Sequence, residues 1–160
     1  MRLHVMRHGP AEDRAPSGRD FDRALTPAGR LLVRRMGELL RAAVPEAPRI
    51  YVSPRRRAQE TAAIVAEVYG LSEAQLLTRD ELDGEERIPA RLAVELAATA
   101  AEVLLVGHQP VVEELVRALV GSTRPKLFGF RTATIVSLVP GAGPSRWTLE
   151  ALHDPDRLPG

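Results

Sequence analysis

The chain has 160 residues, of which 44% are hydrophobic and 27% are charged, and these values are typical of one soluble domain with enough apolar side chains for a core. We therefore expect a single domain over residues 1–160. The 22 basic and 21 acidic residues give a formal net charge of +1, so no overall field would attract nucleic acid or an anionic membrane. We expect neither partner, and any preference for anions has to be local.

Cysteine is absent, which excludes disulfides, thiolate nucleophiles and cysteine-ligated zinc sites. The apolar stretch within MRLHVMRHG is too short for a signal peptide, and no later segment approaches the ~18 apolar residues of a membrane span. We therefore expect a cytoplasmic protein.

The first half of the chain begins with an apolar run over residues 3–6 that predicts a strand. The pattern that follows predicts a helix over 25–44, with Thr26 as N-cap and Pro27 at the first helical position. Four apolar residues at helical spacing are expected to face the sheet: Leu32, Met36, Leu39 and Ala43.

The next pair of elements is a short strand, RIYVSP, stopped by Pro54, and a second helix over about 56–69 that ends at Gly70. Three apolar residues of this helix should point inward: Ile64, Val65 and Val68. The stretch AQLLT, residues 74–78, predicts a further short strand.

In the second half, a helix over 89–100 is predicted to open at Pro89. The nearly all-apolar run EVLLVGH that follows is typical of a central strand buried on both faces. Another helix should start at Pro110 and end at Gly121, before the strands TATIVSLV and RWTLEALH. This alternation predicts a three-layer α/β/α sandwich, with a mostly parallel central sheet of about six strands and helices on both faces.

Basic and nucleophilic side chains follow three of the predicted strands. Arg7 and His8 follow the first strand, a run from Ser53 to Arg57 follows the second, and His108 follows the buried EVLLVG strand. Ligands of open α/β sheets bind beyond the carboxyl ends of the strands, so we expect these groups to meet at one edge.

Phosphoryl transfer is the chemistry that this set of side chains suits. A transferring phosphoryl group spreads negative charge over its oxygens, which paired guanidinium forks can hold, and a neutral imidazole can act as the nucleophile. Each motif also has a simpler interpretation: RHG as a surface turn, Arg55 to Arg57 as a solvated helix face, and GHQP as a helix cap. His4 and His153 are expected to be structural or exposed.

Together, the stretches VMRHGPAE, LTPAG, SPRRRAQET and LVGHQP resemble the histidine phosphatase superfamily, also called the phosphoglycerate-mutase-like superfamily. The match runs from Arg2 to about Val120. Within the superfamily, the short chain and the stretches DRALTPAG and VSPRRRAQET look most like the SixA-type phosphohistidine phosphatases.

The resemblance implies a role for each matched residue. His8 would be the nucleophile that becomes phosphorylated, Arg7 and Arg57 would clamp the phosphoryl oxygens, and His108 would complete the pocket as a donor. Arg23, in DRALT, sits where many members have another arginine and is a further substrate-binding candidate. Two arginines on variable positions of the motif are expected to face solvent: Arg55 and Arg56.

The superfamily also implies a general acid after the second helix, for which Glu81, in TRDELDGEE, is the candidate. This segment departs from the usual pattern. An alkoxide leaving group needs a positioned acid, whereas imidazole, with an ordinary pKa of about 6.5, leaves from phosphohistidine with little help. The departure therefore favours an N–P bond.

Three functions remain open at this point. The leading one is a metal-independent phosphatase that acts on phosphohistidine of a protein, through an intermediate on His8 and without a cofactor. The second is a small-molecule phosphomonoesterase of the same fold, and the third is a noncatalytic phosphate-binding module. A metal hydrolase using His8 and His108 is disfavoured, because no carboxylate or third histidine stands at ligand spacing. Inorganic phosphate or sulfate is expected to bind the pocket.

Overall fold

The computed structural model describes residues 1–83, 88, 90–122, 129–143 and 146–158. Pro89, which the sequence predicts as a helix opener, lies outside the described residues. Among the described residues, no helix has the length and apolar character that a membrane crossing requires.

A six-stranded sheet, in the order β3-β2-β4-β1-β5-β6, forms the middle layer. Its strands are β1 (Arg2–Arg7), β2 (Arg49–Val52), β3 (Leu77–Thr78), β4 (Glu102–Gly107), β5 (Ile135–Pro140) and β6 (Trp147–His153). The pairs β1·β4, β2·β4 and β2·β3 are parallel, whereas β5 is antiparallel to both β1 and β6. The predicted mostly parallel sheet is therefore confirmed, with two antiparallel pairings, β1·β5 and β5·β6, toward one edge.

Helices cover both faces of this sheet. They are α1 (Pro27–Ala43), α2 (Arg56–Val68), α3 (Ala90–Ala97) and α4 (Val111–Val120). One apolar cluster holds the buried side chains of α1 and α2 against one face, and a second holds those of α3 and α4 against the other. The α/β/α layering predicted from the sequence is confirmed.

The helix ends follow from local chemistry. Thr26 caps α1 by accepting a hydrogen bond from the Gly29 amide at 2.9 Å, and Pro27 is the first helical residue, as predicted. Gly121 ends α4 in the left-handed conformation, with φ of 65°, which glycine adopts without steric cost.

The buried face of α1 differs from the prediction by about one residue. Met36 is buried as expected, but Leu32 and Leu39 are only partly buried and Ala43 is exposed. The buried positions are Gly29, Val33, Met36, Gly37 and Leu40. Gly37 explains the offset, because it presents no side chain to α2 and lies against Val65 and Val68. In α2, all three residues predicted to point inward are buried: Ile64, Val65 and Val68.

The predicted strand at 74–78 is shorter than expected. Only Leu77–Thr78 pairs with β2, because Glu73–Gln75 forms a turn of 3-10 helix in which Ser72 and Gln75 make reciprocal capping contacts. The central strand, by contrast, is confirmed. All six residues of β4 are buried, and β4 lies between β2 and β1.

His4 has a structural role, as expected. Its ring is fully buried, with Nε2 lying 3.0 Å from a Glu102 carboxylate oxygen and Nδ1 lying 2.8 Å from the Ser137 hydroxyl. Since both ring nitrogens have partners, burial of this polar group is compensated. The contacts connect three adjacent strands, β4, β1 and β5, from within the sheet.

Candidate active site

Three parallel strands end at the same edge of the sheet and deliver the predicted residues there. The ladder continues one residue beyond each strand, because the His8 amide donates to the Gly107 carbonyl and the Ser53 amide donates to the Val106 carbonyl. His108 directly follows β4. As expected for an α/β sheet, the polar groups lie beyond the carboxyl ends of the strands.

The protonation of the His8 ring is defined by its neighbour. Nδ1 lies 2.7 Å from the Gly9 carbonyl oxygen, which can only accept, so Nδ1 holds the proton and Nε2 keeps its lone pair. Gly9 is held in turn, because its amide donates to the Thr61 hydroxyl at 3.0 Å. A Cβ at Gly9 would lie 2.3 Å from a methyl group of Val33, so a side chain there would push this turn away from α1.

Arg57, in the first turn of α2, lies directly beside the free nitrogen of His8. Its Nε donates a hydrogen bond to the lone pair of His8 Nε2 at 3.4 Å, and the side chain is almost wholly buried. Its two terminal nitrogens donate to Asp20, one to the main-chain oxygen at 2.9 Å and one to the carboxylate at 3.2 Å. The guanidinium is therefore fixed on both sides.

His108 packs against His8, with ring centroids 5.2 Å apart. Its Nε2 lies 2.7 Å from the Ser53 hydroxyl oxygen, which also accepts from the Arg55 amide at 3.3 Å. Because Ser53 already accepts that bond, its own proton is available for His108 Nε2. This arrangement favours a proton on His108 Nδ1, which makes Nδ1 a donor.

Two buried polar atoms at this edge have no hydrogen-bond partner within the described part of the chain: Nε of Arg7 and Nδ1 of His108. Arg7 does donate from a terminal nitrogen to the Phe130 carbonyl at 3.1 Å, which holds its side chain in place. Unsatisfied buried donors cost free energy unless a ligand meets them. Both atoms are suited to an oxyanion bound beside His8.

Burial keeps both pocket histidines neutral. It lowers the pKa of His8 from 6.5 to about 4, and the nearby Arg57 and Arg7 guanidiniums add to the effect against the Gly9 hydrogen bond. It likewise lowers the pKa of His108 to about 3, with His8 as the next cause. A neutral His8 retains its lone pair throughout the physiological pH range.

Four arginines and a carboxylate complete the edge. Asp20 lies between Arg23, Arg55 and Arg57, and the hydrogen bond from Arg23 is the main cause that lowers the Asp20 pKa to about 2. Arg23, the further substrate-binding candidate, therefore reaches the pocket through Asp20 and shows no direct contact with His8. The fourth arginine at this edge is Arg7, whose positive charge contributes to the lowered pKa of His8.

The prediction that Arg55 faces solvent is wrong. Its side chain is 18% exposed and forms ion pairs with Asp20 at 2.5 Å and with Asp83 at 2.7 Å. The prediction for Arg56 is confirmed, since its side chain is 55% exposed and pairs with Glu60 one turn along α2. Asp20, Asp83 and the hydroxyl contact of Ser53 were not identified as site features from the sequence.

Glu81, the candidate general acid, lies away from these contacts. Its half-exposed carboxylate pairs with Arg79 at 2.7 Å, and the hydrogen bond from Arg79 lowers its pKa. A lowered pKa is unfavourable for donating a proton near neutral pH. Much of the remainder of the segment, at residues 84–87, lies outside the described residues.

As for metal ligands, no three histidine or carboxylate side chains converge in metal-binding geometry within the described ranges. The positive charges that could hold an anion at this edge are guanidinium groups, among them those of Arg7 and Arg57.

The model of the histidine phosphatase superfamily, branch 1, matches residues 3–84. An uncharacterised protein of Picosynechococcus sp. (strain ATCC 27264 / PCC 7002 / PR-6) is 32% identical over 146 residues, covering 89% of this chain and 87% of that protein. A structure of the protein histidine phosphatase SixA complexed with tungstate is 27% identical and covers 99% of this chain and 100% of its own, with a TM-score of 0.83.

A structure of the putative phosphohistidine phosphatase SixA from Nakamurella multipartitia is similar as well. It is 28% identical and covers 96% of this chain and 95% of its own, with a TM-score of 0.75. The family match and both structures agree with the resemblance seen in the sequence motifs. The chain belongs to the histidine phosphatase superfamily, branch 1.

Proposed function

We propose that this phosphatase removes the phosphoryl group from phosphohistidine on a protein, through a phosphoryl intermediate on His8 and without a metal ion. The partner class is a phosphorelay or phosphotransfer protein of the cytoplasm. The observation that carries the proposal is the state of the His8 ring, whose Nδ1 proton is held by the Gly9 carbonyl and whose free Nε2 lies 3.4 Å from Arg57.

The nucleophile is available without a base. Because the pKa of His8 is lowered to about 4, mainly by burial, the ring is neutral at neutral pH. The lone pair of Nε2 attacks phosphorus and forms an N–P bond. As positive charge develops on the ring, the Gly9 carbonyl accepts a stronger hydrogen bond from Nδ1, which stabilises the transition state.

The donors around His8 suit the three phosphoryl oxygens. Arg7 Nε and His108 Nδ1 are buried and without partners in the described residues, and the Arg57 guanidinium lies at His8 itself. Arg7 Nε and His108 Nδ1 are held in place before the reaction begins, so they stabilise the charge of the transferring group with little reorganisation. The roles proposed here for Arg7, Arg57 and His108 require no cation.

The leaving group favours phosphohistidine over a phosphomonoester. The carboxylates of Asp20 and Glu81 both have lowered pKa values because arginines bind them, so neither is suited to protonate a departing oxygen. The substrate imidazole takes a proton from water on its other nitrogen near neutral pH, and the ring then leaves as neutral imidazole. The similar structures at 27% and 28% identity are of a protein histidine phosphatase and a putative phosphohistidine phosphatase, which supports the same substrate class.

The complete cycle balances with water alone. In the first step the N–P bond of the substrate breaks, its electron pair returns to the substrate nitrogen, and the phosphoryl group moves to His8 Nε2. In the second step a water oxygen attacks phosphorus, the N–P bond to His8 breaks, and inorganic phosphate leaves after the water proton passes to solvent or phosphate.

The test is a comparison of two substrates. Purified protein is incubated with a phosphohistidine peptide and with a phosphoserine peptide of the same sequence, each with and without a chelator, while phosphate release is measured. We expect kcat/KM to be at least ~100-fold higher for phosphohistidine, because acid catalysis worth 10²-fold or more is missing for the ester. Chelator should change neither rate.

Two outcomes would contradict the proposal. Equal or faster hydrolysis of the phosphoserine peptide would contradict the preference for phosphohistidine and favour a phosphomonoesterase of the same fold. Loss of activity with chelator, restored by a divalent cation, would favour a metal hydrolase.

A further inference from the structure

Asp20 binds the arginines of the pocket in the way that a ligand would. One of its carboxylate oxygens accepts from Arg23 at 2.8 Å, and the other accepts from Arg55 at 2.5 Å and from Arg57 at 3.2 Å. Its main-chain oxygen accepts from Arg57 as well, at 2.9 Å. Three guanidinium groups from two separate segments of the chain therefore converge on one oxyanion.

The contacts of Asp20 compete with those that a phosphoryl group needs. Each terminal nitrogen of Arg57 donates one hydrogen bond to Asp20, and Nε donates to His8. A bidentate clamp on phosphate uses two nitrogens of one guanidinium fork. While Asp20 lies against both terminal nitrogens of Arg57, it takes the space that two phosphate oxygens would need to form such a clamp there.

We propose that Arg23, Arg55 and Arg57 form an oxyanion site that Asp20 fills in the free enzyme, and that inorganic phosphate or a substrate phosphoryl group displaces Asp20 from it. The inference rests on the proposed function, because it takes the pocket at His8 as the place where phosphate binds. The inference adds Arg55 to the groups that bind phosphate. Asp20 then competes with phosphate for the same guanidinium groups.

The placement of Asp20 allows this exchange. The residue is 52% exposed and belongs to a 3-10 turn, Asp20–Asp22, that contains no buried residue. About half of the Asp20 side chain meets water, so its ion pairs can be exchanged for contacts with an anion and with solvent. The turn can therefore release its carboxylate without opening the core.

Charge favours phosphate in the exchange. Phosphate near neutral pH carries between one and two negative charges and presents more acceptor oxygens than a carboxylate, so it gains more from three guanidiniums. The carboxylate of Asp20 lowers the affinity of the site for any free anion. Such a competitor would also help release inorganic phosphate after each cycle.

The experiment measures binding of inorganic phosphate by isothermal titration calorimetry to wild type, Asp20→Asn and Asp22→Asn. Asn at position 20 retains the shape of the side chain and removes the charge that competes. Asp22→Asn is the matched control, because it makes the same charge change on the same turn at a residue that binds Ser17 and Arg19 instead of the pocket arginines.

We expect Asp20→Asn to bind phosphate ~10-fold more tightly than wild type, a difference of about 1.4 kcal/mol, and Asp22→Asn to remain within about twofold. In steady-state assays Asp20→Asn should lower KM for a phosphorylated substrate and the inhibition constant of phosphate by the same factor. Asp20→Ser, with folding checked by circular dichroism, repeats the test with a smaller neutral side chain.

Phosphate binding to both Asp20 variants that is equal to or weaker than that of Asp22→Asn would overturn the inference, because Asp20 would then hold Arg57 in its working position. The readout is independent of turnover. Tighter phosphate binding in a protein that never phosphorylates His8 would contradict the proposed function and leave this inference standing. Phosphorylation of His8 together with an unchanged phosphate affinity in the Asp20 variants would support the proposed function and overturn this inference.

Discussion

The Nε atom of Arg57 lies 3.4 Å from Nε2 of His8, the ring nitrogen that has no proton. His8 directly follows strand β1 and Arg57 lies in the first turn of helix α2, so the contact joins two residues that are 49 positions apart in sequence. The pairing places a cationic donor at the point where the phosphoryl oxygens would lie. The predicted behaviour of variants follows from this geometry.

Arg57→Lys should reduce kcat/KM by on the order of 10²-fold, because lysine keeps the charge but loses the planar fork. The control is Arg56→Lys, the neighbouring residue, which is exposed and pairs with Glu60. That variant should keep at least about half of the activity, since surface ion pairs contribute little. Steady-state kinetics on a phosphohistidine peptide measure both. Equal losses in the two variants would contradict a clamp at Arg57.

Glu81→Gln should change kcat/KM by less than about twofold for both phosphohistidine and phosphomonoester substrates, because an exposed carboxylate bound to Arg79 gives no acid catalysis to lose. Kinetics at one pH on both substrates check this. A loss of 10²-fold or more on the phosphomonoester alone would instead establish Glu81 as its general acid. The ion pair with Arg79 would then have to break during catalysis.

Acid should destabilise the fold through the pocket histidines. The pKa values of His8 and His108, about 4 and about 3, lie below the ordinary 6.5, so the unfolded chain binds more protons between those limits. The contribution of the two neutral rings to the free energy of unfolding is fully present above pH 6.5. It is lost as the pH falls toward 4 for His8 and toward 3 for His108. Each ring lowers the free energy of unfolding by up to about 1.4 kcal/mol for each pH unit within this range.

Urea unfolding of wild type and His108→Asn at several pH values between about 6 and 4 measures this dependence of stability on pH. Asn cannot titrate, so the variant should lose the contribution of one ring. An identical pH dependence in the two proteins would contradict the lowered pKa of His108.

Much of the site was predictable because strand ends are visible in the sequence. Apolar runs end at Arg7, at Ser53 and at His108, and the carboxyl ends of parallel strands share one edge of the sheet. The fold class followed from the alternation of strand and helix patterns. The functional groups on these strands are therefore brought together by topology alone.

Other features depend on tertiary contacts that no local pattern encodes. Arg55 was expected to face solvent, but its partners Asp20 and Asp83 come from two distant loops, 35 and 28 positions away. A signal for Asp20 was present in the acidic residues among arginines in GRDFDR, although only the fold could say which carboxylate turns inward. Glu81 points outward because the adjacent Leu82 on the same short turn is buried.

The central claim is that His8 is the residue that becomes phosphorylated. The direct measurement is mass spectrometry of enzyme trapped with a phosphohistidine peptide and quenched without acid, with the modified residue assigned by fragmentation. The account predicts phosphate on His8, no turnover by a folded His8→Ala variant, and normal labelling in His153→Ala, a control on strand β6 two strands away from β1. Phosphate on His108, or full turnover by His8→Ala, would contradict it.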